Sequence, residues 1–405
     1  MRFDHAQFHL EQMAGDGDSR LSRRDALKLT AGAAAAAAGV AAFDLATGSH
    51  VHADDHEFTD EKFDGEDVVT NGWPTSKYGP DDQRGTFNEI TPNRTAATME
   101  RLRAGDVNAY QLGEEMFNGF PAFPSDPPRL HDMFLLAFGF DAGPEFAAGG
   151  GIQSGPDPLG PNLVTGFEER FGENFTLQIG TQIDGLGHVG TGPTYYNGHT
   201  AESLATPTGL SALGNETMGP IATRGVVLDI VGLKVAAGAT DDFFIAPNGQ
   251  PVLRDNYRIT IDDIENARFR QRINLPIRAG DVPIMHTGWT HLVRDDPARY
   301  LTQEPGIYLA EARWLADKGV ALIASDTWGL EVLDPAVTGG NAFPCHQELF
   351  GKYGCRIGES FVTDSAIADN VYDALLVVTP ENVPGATCGS SAPTLLGPKG
   401  RPPRD

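Results

Sequence analysis

The chain has 405 residues, 40% of them hydrophobic and 21% charged, which is enough apolar material for a large core in one or two domains. Its 55 acidic side chains outweigh 30 Lys and Arg, and the formal charge of −25 leaves little to neutralise phosphates, which argues against a nucleic-acid partner. Three cysteines, Cys345, Cys355 and Cys388, are too few for a disulfide framework and too scattered for a zinc knuckle; a single Cys345–Cys355 bridge in an oxidising compartment stays open.

The first feature along the chain is SRRDALKLTAGAAAAAAGVAAF. Paired arginines, Arg23 and Arg24, followed by Lys28 and a weakly apolar alanine run, resemble a twin-arginine export signal over residues 1–53, with Ala26 where a bulky apolar residue is more usual. Val51-His52-Ala53 offers a small-residue cleavage site, so the mature chain is expected to begin near Asp54. The expectation is export by the twin-arginine machinery to the periplasm or beyond, the alternative being a soluble alanine-rich helix. The run is too short and too alanine-rich for a membrane span and no other segment qualifies, so no membrane attachment is expected after cleavage.

Residues 54–105 begin acidic and become turn-rich. The short apolar runs VNAYQL (107–112), MFLLAF (133–138), FTLQIG (175–180) and GVVLDI (225–230) read as strands, and the Gly- and Pro-rich stretch 141–173 as an ordered loop or lid. DVPIMH (281–286) reads as a strand. A helix over 305–319 follows, with Pro305 near its first turn, Gly319 just past its end, and Ile307, Ala310, Trp314 and Leu315 on one face. VALIAS (320–325) and YDALLVV (372–378) are further strands. The β-α-β order predicts an α/β domain with a mixed sheet. Polar groups stand at two strand ends, His286-Thr287-Gly288-Trp289 and Ser325-Asp326-Thr327, where ligand sites of α/β sheets commonly lie.

The chemistry concentrates in FTLQIGTQIDGLGHVG, residues 175–190. Gln178, Gln182, Asp184 and His188 share one parity, and Leu177, Ile179 and Ile183 take the other; in extended chain the first set would line a cleft and the second enter a core. An ordinary half-buried strand running into a glycine-rich turn would give the same pattern. Further on, PCHQELFGKYGCRIGES places His346 and Glu359 thirteen residues apart. An imidazole and a carboxylate converging with Asp184 would make a metal site and leave His188 free as general acid or base.

The 175–190 segment resembles the signature H-x-G-T-H-x-D-x-P-x-H of the cyclase family, which includes bacterial kynurenine formamidase and isatin hydrolase. The stretches YGPDDQRGTFNEITP, YNGHTAESLA, MHTGW and WLADKGVALIASDTWGLEV carry the resemblance across nearly all of the mature chain. It implies a mixed-sheet, swivelling β/β/α fold and one catalytic domain over 54–405. Residue by residue, it implies Asp184, His346 and Glu359 as metal ligands and His188 as the acid or base. The family's first two histidines fall on Gln178 and Gln182, and its proline on Leu186. With Gln182 counted as a ligand and Gln178 behind it, the donor set is oxygen-rich. One divalent metal is expected, manganese foremost, with Zn²⁺ or Mg²⁺ as alternatives; otherwise both glutamines only hydrogen-bond at the cleft wall.

Trp289 and Phe120, with Phe117, are expected to close an apolar pocket over a ring substrate unless they pack as core. His286 orients the substrate or is structural, and Asp326 holds a ligand in place. His131, His199 and His291 show no partner in the sequence. The activity expected is metal-dependent hydrolysis of a small amide, cyclic amide or lactone. A lyase or cyclase acting on a carbonyl compound and a metal-free binding protein of the same fold are the rivals. By resemblance the protein is expected to be a homo-oligomer, a dimer in the first instance.

Overall fold

The computed structural model describes residues 62–404, which belong to one compact unit spanning Asp60–Asp405. The expected export signal, residues 1–53, and its cleavage site lie outside the described residues. No described helix is long and apolar enough to cross a membrane.

Nine strands form the main sheet: β1 (Val107–Gln111), β2 (Gln182–Asp184), β3 (Ile221–Asp229), β4 (Val282–His286), β5 (Leu322–Ser325), β6 (Arg356–Glu359), β7 (Asp373–Val378), β8 (Cys388–Ser390) and β9 (Thr394–Pro398). Their order is β1-β9-β7-β3-β4-β5-β6-β2-β8. The central strands β3, β4, β5 and β6 run parallel, and antiparallel strands flank them on both sides, so the sheet is mixed as the sequence predicts. The centre is apolar on both faces. In and just after β3, Val226, Val227, Leu228, Ile230 and Val231 are all buried, the near-continuous run a strand covered on two sides requires. Each such side chain contributes about 1.5–3 kcal/mol by leaving water.

Helix α1 (Ile261–Arg270) begins at a capping box formed by Thr260 and Asp263. Helix α2 (Leu309–Asp317) provides the crossover between β4 and β5 and buries Leu309, Ala312, Trp314 and Leu315. It starts four residues later than the sequence suggests. Residues 305–307 are drawn instead into extended bridges, Gly306 with Arg258 and Ile307 with Glu331, and the Glu311 carboxylate then accepts from the Tyr308 backbone N–H at 3.0 Å to open the helix.

Two other expectations change. FTLQIG is not a strand, because Gly180 takes φ +69°, where an added Cβ would meet the Met116 sulfur at 2.3 Å; pairing begins only at Gln182. The stretch 141–173 holds a short helix, Pro144–Ala148, and two strands, Ile152–Ser154 and Gly166–Phe171, that flank Met133–Phe138 in a separate three-stranded ribbon. All three cysteines are buried and free, so the open Cys345–Cys355 bridge is not formed.

Candidate metal centre

Two strand ends and a short helix assemble the site. Asp184 closes β2 and Glu359 closes β6. Their antiparallel register sets Glu359 opposite Gln182, so Gln182, Asp184 and Glu359 share a face. His346 comes from helix α3 (Pro344–Glu348). Both late contributors sit beside a left-handed residue: Phe343 (φ +52°) caps α3, and Ser360 (φ +53°) follows Glu359. Such conformations cost about 1–3 kcal/mol each and persist where surrounding contacts enforce them. Ser360 is held by its N–H to the Thr327 carbonyl at 2.8 Å and by the Thr181 hydroxyl on its own carbonyl at 2.7 Å.

The ligand-capable atoms of Asp184, His346 and Glu359 lie within 4.8 Å of one another, and all three residues are buried. His346 Nε2 is 3.4 Å from Glu359 Oε1 and 3.8 Å from Asp184 Oδ2. Asp184 is fully inaccessible, yet among the described residues neither of its carboxylate oxygens has a donor within hydrogen-bond distance; the Gln178 amide weakly stabilises its charge. A buried carboxylate in that condition is costly unless a cation faces it. Two carboxylates and one imidazole around one point fit a divalent cation. Without one, burial pushes the Asp184 carboxyl up to about 6, the His188 and His346 charges pulling against it and that of Glu359 adding to it.

Glu331 fixes the imidazole. One of its oxygens lies 2.7 Å from His346 Nδ1 and accepts the His346 backbone N–H at 2.9 Å, and the other accepts the Cys345 N–H at 2.9 Å. Burial disfavours the His346 cation, but the hydrogen bonds to Glu331 and Glu359 prevail and lift it to about 10. The Glu331 contact places the proton on Nδ1 and turns Nε2 toward Asp184 and Glu359. Replacing Glu331 with Gln is expected to weaken divalent-metal affinity by about 10- to 100-fold in competition with a chelator. Unchanged affinity would show that the carboxylate does not orient the ligand.

The glutamines connect the centre to His188. Gln182 Nε2 donates to Glu359 Oε2 at 2.6 Å and to Gln178 Oε1 at 3.0 Å, while the Cys388 thiol lies 3.9 Å from its Oε1. In this arrangement the Gln182 amide nitrogen, not its oxygen, faces Glu359. Gln178 Nε2 in turn lies 3.2 Å from His188 Nδ1, and His188 Nε2 lies 3.7 Å from Asp184 Oδ2. Burial holds the His188 imidazole below its ordinary pKa, so it is neutral near pH 7.

A narrow cleft with about 20 Å³ of free space, roughly the room of one water, opens onto these groups, lined among others by Phe123, Arg129, Ile179, Tyr300, Trp328 and Glu359. The three side chains expected to touch substrate are not among its walls. Trp289 and Phe120 are buried in an apolar cluster with Ile179 and Tyr300, and the Trp289 Nε1–H is spent on the Tyr300 carbonyl at 2.9 Å. They pack as core behind the cleft. His286 is buried with Nδ1 at 3.2 Å from Asp326 Oδ2 and 3.0 Å from the Thr363 hydroxyl. Asp326 also accepts the Thr287 and Gly288 N–H groups, so it organises the end of β4 rather than a metal ligand. His291, for which the sequence shows no partner, pairs with Asp364 at 3.0 Å, and His131 packs edge-on against Phe171.

The His286–Asp326 pair gives a pH signature. Burial opposes the imidazolium, yet the Asp326 hydrogen bond and charge raise His286 to about 9, above the unfolded value of about 6.5. Its contribution is therefore full below pH ~6.5 and lost as pH rises through ~9, on the order of 2–3 kcal/mol. Urea unfolding at pH 6 and pH 9.5 is expected to show that loss in the wild type and to show less of it in His286→Gln. Equal losses would remove the pair as the cause.

The sequence profile of the Cyclase family matches residues 110–332, just over half of the chain. The chain belongs to the Cyclase family. The matched span holds Gln178, Gln182, Asp184, His188 and Glu331 and ends before His346 and Glu359, which the fold supplies from outside it. A crystal structure described as a novel cyclase shares 26% identity at a TM-score of 0.62, covering 79% of this chain and 98% of its own. Isatin hydrolase A from Ralstonia solanacearum is similar at 17% identity and a TM-score of 0.49, over 76% of this chain and 98% of its own. An isatin hydrolase bound to the product analogue thioisatinate stands at 15% and 0.48, over 76% and 100%. A search among curated proteins found no match. The cyclase-family fold, with its large mixed sheet, is the one the sequence predicts.

Sequence reasoning missed Glu331, Arg129, Tyr300 and Trp328. Trp328 and Glu331 follow directly on β5 in SDTWGLEV, so the strand-end rule that singled out Asp326 pointed at the right stretch and the wrong side chain. Arg129 and Tyr300 carry no local signal.

Proposed function

We propose that this cyclase-family protein is a metal-dependent hydrolase of a small amide, cyclic amide or lactone. One observation carries the reading: a fully buried Asp184 with no donor among the described residues within hydrogen-bond distance of either oxygen, gathered with His346 and Glu359 within 4.8 Å, and His188 Nε2 at 3.7 Å. A bound divalent cation supplies carbonyl polarisation and a more acidic water there. Asp184, His346 and Glu359 would hold it. The two carboxylates make the set oxygen-rich and favour Mn²⁺ over a tight tetrahedral Zn²⁺.

The chain's own groups do the rest. Hydrolysis adds water across the acyl bond: hydroxyl goes to the carbonyl carbon and a proton to the departing nitrogen or oxygen. His188, neutral near pH 7, takes the proton that water releases and passes it on to the leaving group. Gln178 holds the imidazole ring in place through Nδ1. Glu331 keeps His346 turned inward, and Gln182 steadies Glu359. Tyr300, Trp328 and Phe123 limit bulk water at the narrow cleft.

Chelator-treated protein reloaded with Mn²⁺, Zn²⁺ or Mg²⁺ and assayed on a panel of amides, cyclic amides and lactones tests the proposal. Metal-dependent release of a carboxylate product is expected. Metal binding with elimination or ring-closure products instead would favour a lyase or cyclase.

A further inference from the structure

Basic side chains are scarce in this chain, yet five of them line one hollow. It has about 620 Å³ of free space, in the range of ligand pockets. Its walls carry Arg101, Arg272, Lys399, Arg401 and Arg404 against a single acid, Asp373, although acids outnumber Lys and Arg 55 to 30 in the chain. Asp373 is already engaged, by Arg101 at 2.5 Å and by the buried Arg224 at 2.8 Å, and Lys399 pairs at 2.9 Å with Asp369, which is not one of the walls. Among the described residues no carboxylate lies within ion-pair distance of Arg272, Arg401 or Arg404. One such arginine on a surface is ordinary. Three around one hollow repel one another and concentrate positive potential on a molecule of charge −25.

The fold brings these cations together from separate stretches and holds them there. The C-terminal run, residues 399–404, is docked against the loop after α1 and the start of β7. Gly400 donates its N–H to the Asp369 carbonyl at 3.0 Å, and it passes so close to Asn370 that an added Cβ would collide with the Asn370 carbonyl oxygen. Arg272, left-handed at φ +60°, gives its Nε–H to the Pro402 carbonyl at 3.0 Å, and the Arg404 N–H reaches the Arg270 carbonyl at 2.8 Å. Pro402 and Pro403 stiffen the backbone between Arg401 and Arg404. The run is therefore ordered before any ligand arrives, which lowers the cost of binding one.

The hollow also lies apart from the metal centre. It takes in the first residue of β7 and the last of β9, and three strands separate β7 from β6, roughly 19 Å at the usual strand spacing. None of its walls belongs to the cleft over Asp184, His346 and Glu359.

We infer that this hollow is a second ligand site, for a compact small molecule carrying three or more negative charges on neighbouring phosphate or carboxylate groups. Five cations and one acid balance about that much charge, and guanidinium forks match the oxygens of either group. A concave site on an otherwise negative molecule admits a small oligoanion, while the surrounding surface repels an extended one such as nucleic acid. The inference stands independently of the hydrolase reading.

Calorimetric titration at low salt with inorganic pyrophosphate, tricarballylate and orthophosphate tests it. The titrations are run on wild type and on Asp184→Asn, which lacks the metal that these anions would otherwise ligate. One pyrophosphate or tricarballylate per chain is expected, at least about tenfold tighter than orthophosphate and equally tight in Asp184→Asn; the tighter of the two names the group. Arg401 has no polar partner among the described residues, so Arg401→Gln should leave the melting temperature of the ligand-free protein unchanged while weakening that binding by about tenfold. Adding Arg272→Gln should weaken it further. No saturable binding, affinity no better than for orthophosphate, or unchanged affinity in the double variant overturns the inference. Loss of binding in Asp184→Asn overturns it too, by placing the anion on the metal centre.

Discussion

Asp184→Asn is expected to lose its divalent metal and, with it, turnover by at least about 10³-fold. The substitution keeps the shape of the side chain and removes only the negative charge, so it separates the ligand's electrostatics from its packing. Asp184 is fully inaccessible and its two oxygens have no hydrogen-bond donor among the described residues. That is an expensive arrangement for a structural carboxylate and a natural one for a metal ligand. The same reasoning gives a second readout with the opposite sign. In chelator-treated protein the buried carboxylate is a liability, its pKa pushed up to about 6. The metal-free Asp184→Asn variant should therefore melt no lower than metal-free wild type, although it binds metal far more weakly. A large destabilisation of the metal-free variant would mean that Asp184 is paired in a way the geometry does not provide.

His188→Ala is expected to lower kcat by about 10²- to 10⁴-fold while leaving metal content nearly unchanged. His188 stands 3.7 Å from Asp184 through Nε2 and is held by Gln178 through Nδ1, and it is partly open where His346 is closed off. It faces the centre without belonging to the close set of three. Loss of both metal and activity in His188→Ala would move it into the ligand set. Retention of both would remove it from the chemistry.

Much of the fold was legible because it rests on apolar runs. The stretches at 225–230, 281–286, 320–325 and 372–378 fall on β3, β4, β5 and β7, where the sheet is covered and hydrophobicity alone marks the strand. FTLQIG failed for a local reason, since Gly180 adopts a left-handed conformation that ends any strand preceding it. Alternation nonetheless grouped Gln178 with Gln182, because the turn folds their amides together at 3.0 Å. The start of α2 was misplaced because the pull on Gly306 and Ile307 comes from Arg258 and Glu331, distant in sequence.

The candidate centre was legible as two chemistry-bearing stretches, 175–190 and 344–360, and the family resemblance matched their Asp184, His188, His346 and Glu359 one by one. Parity could not have joined His346 to Asp184 across more than 160 residues. The surrounding shell stayed hidden for a different reason. Glu331 is an ordinary residue type, and its place arises from what the fold sets beside it, an imidazole at 2.7 Å. Trp289 and His286 were singled out at a strand end, which locates the rim of a sheet without saying which side chains face the opening; with Phe120 they take the core or structural alternative and do not line the cleft.

The central claim, that Asp184, His346 and Glu359 hold one divalent cation, is tested most directly by elemental analysis of the protein purified without chelators and again after dialysis against Mn²⁺. The account predicts about one metal per chain in wild type and well under a tenth of that in Asp184→Asn. No metal in wild type even after dialysis, or equal metal in the two proteins, would contradict it.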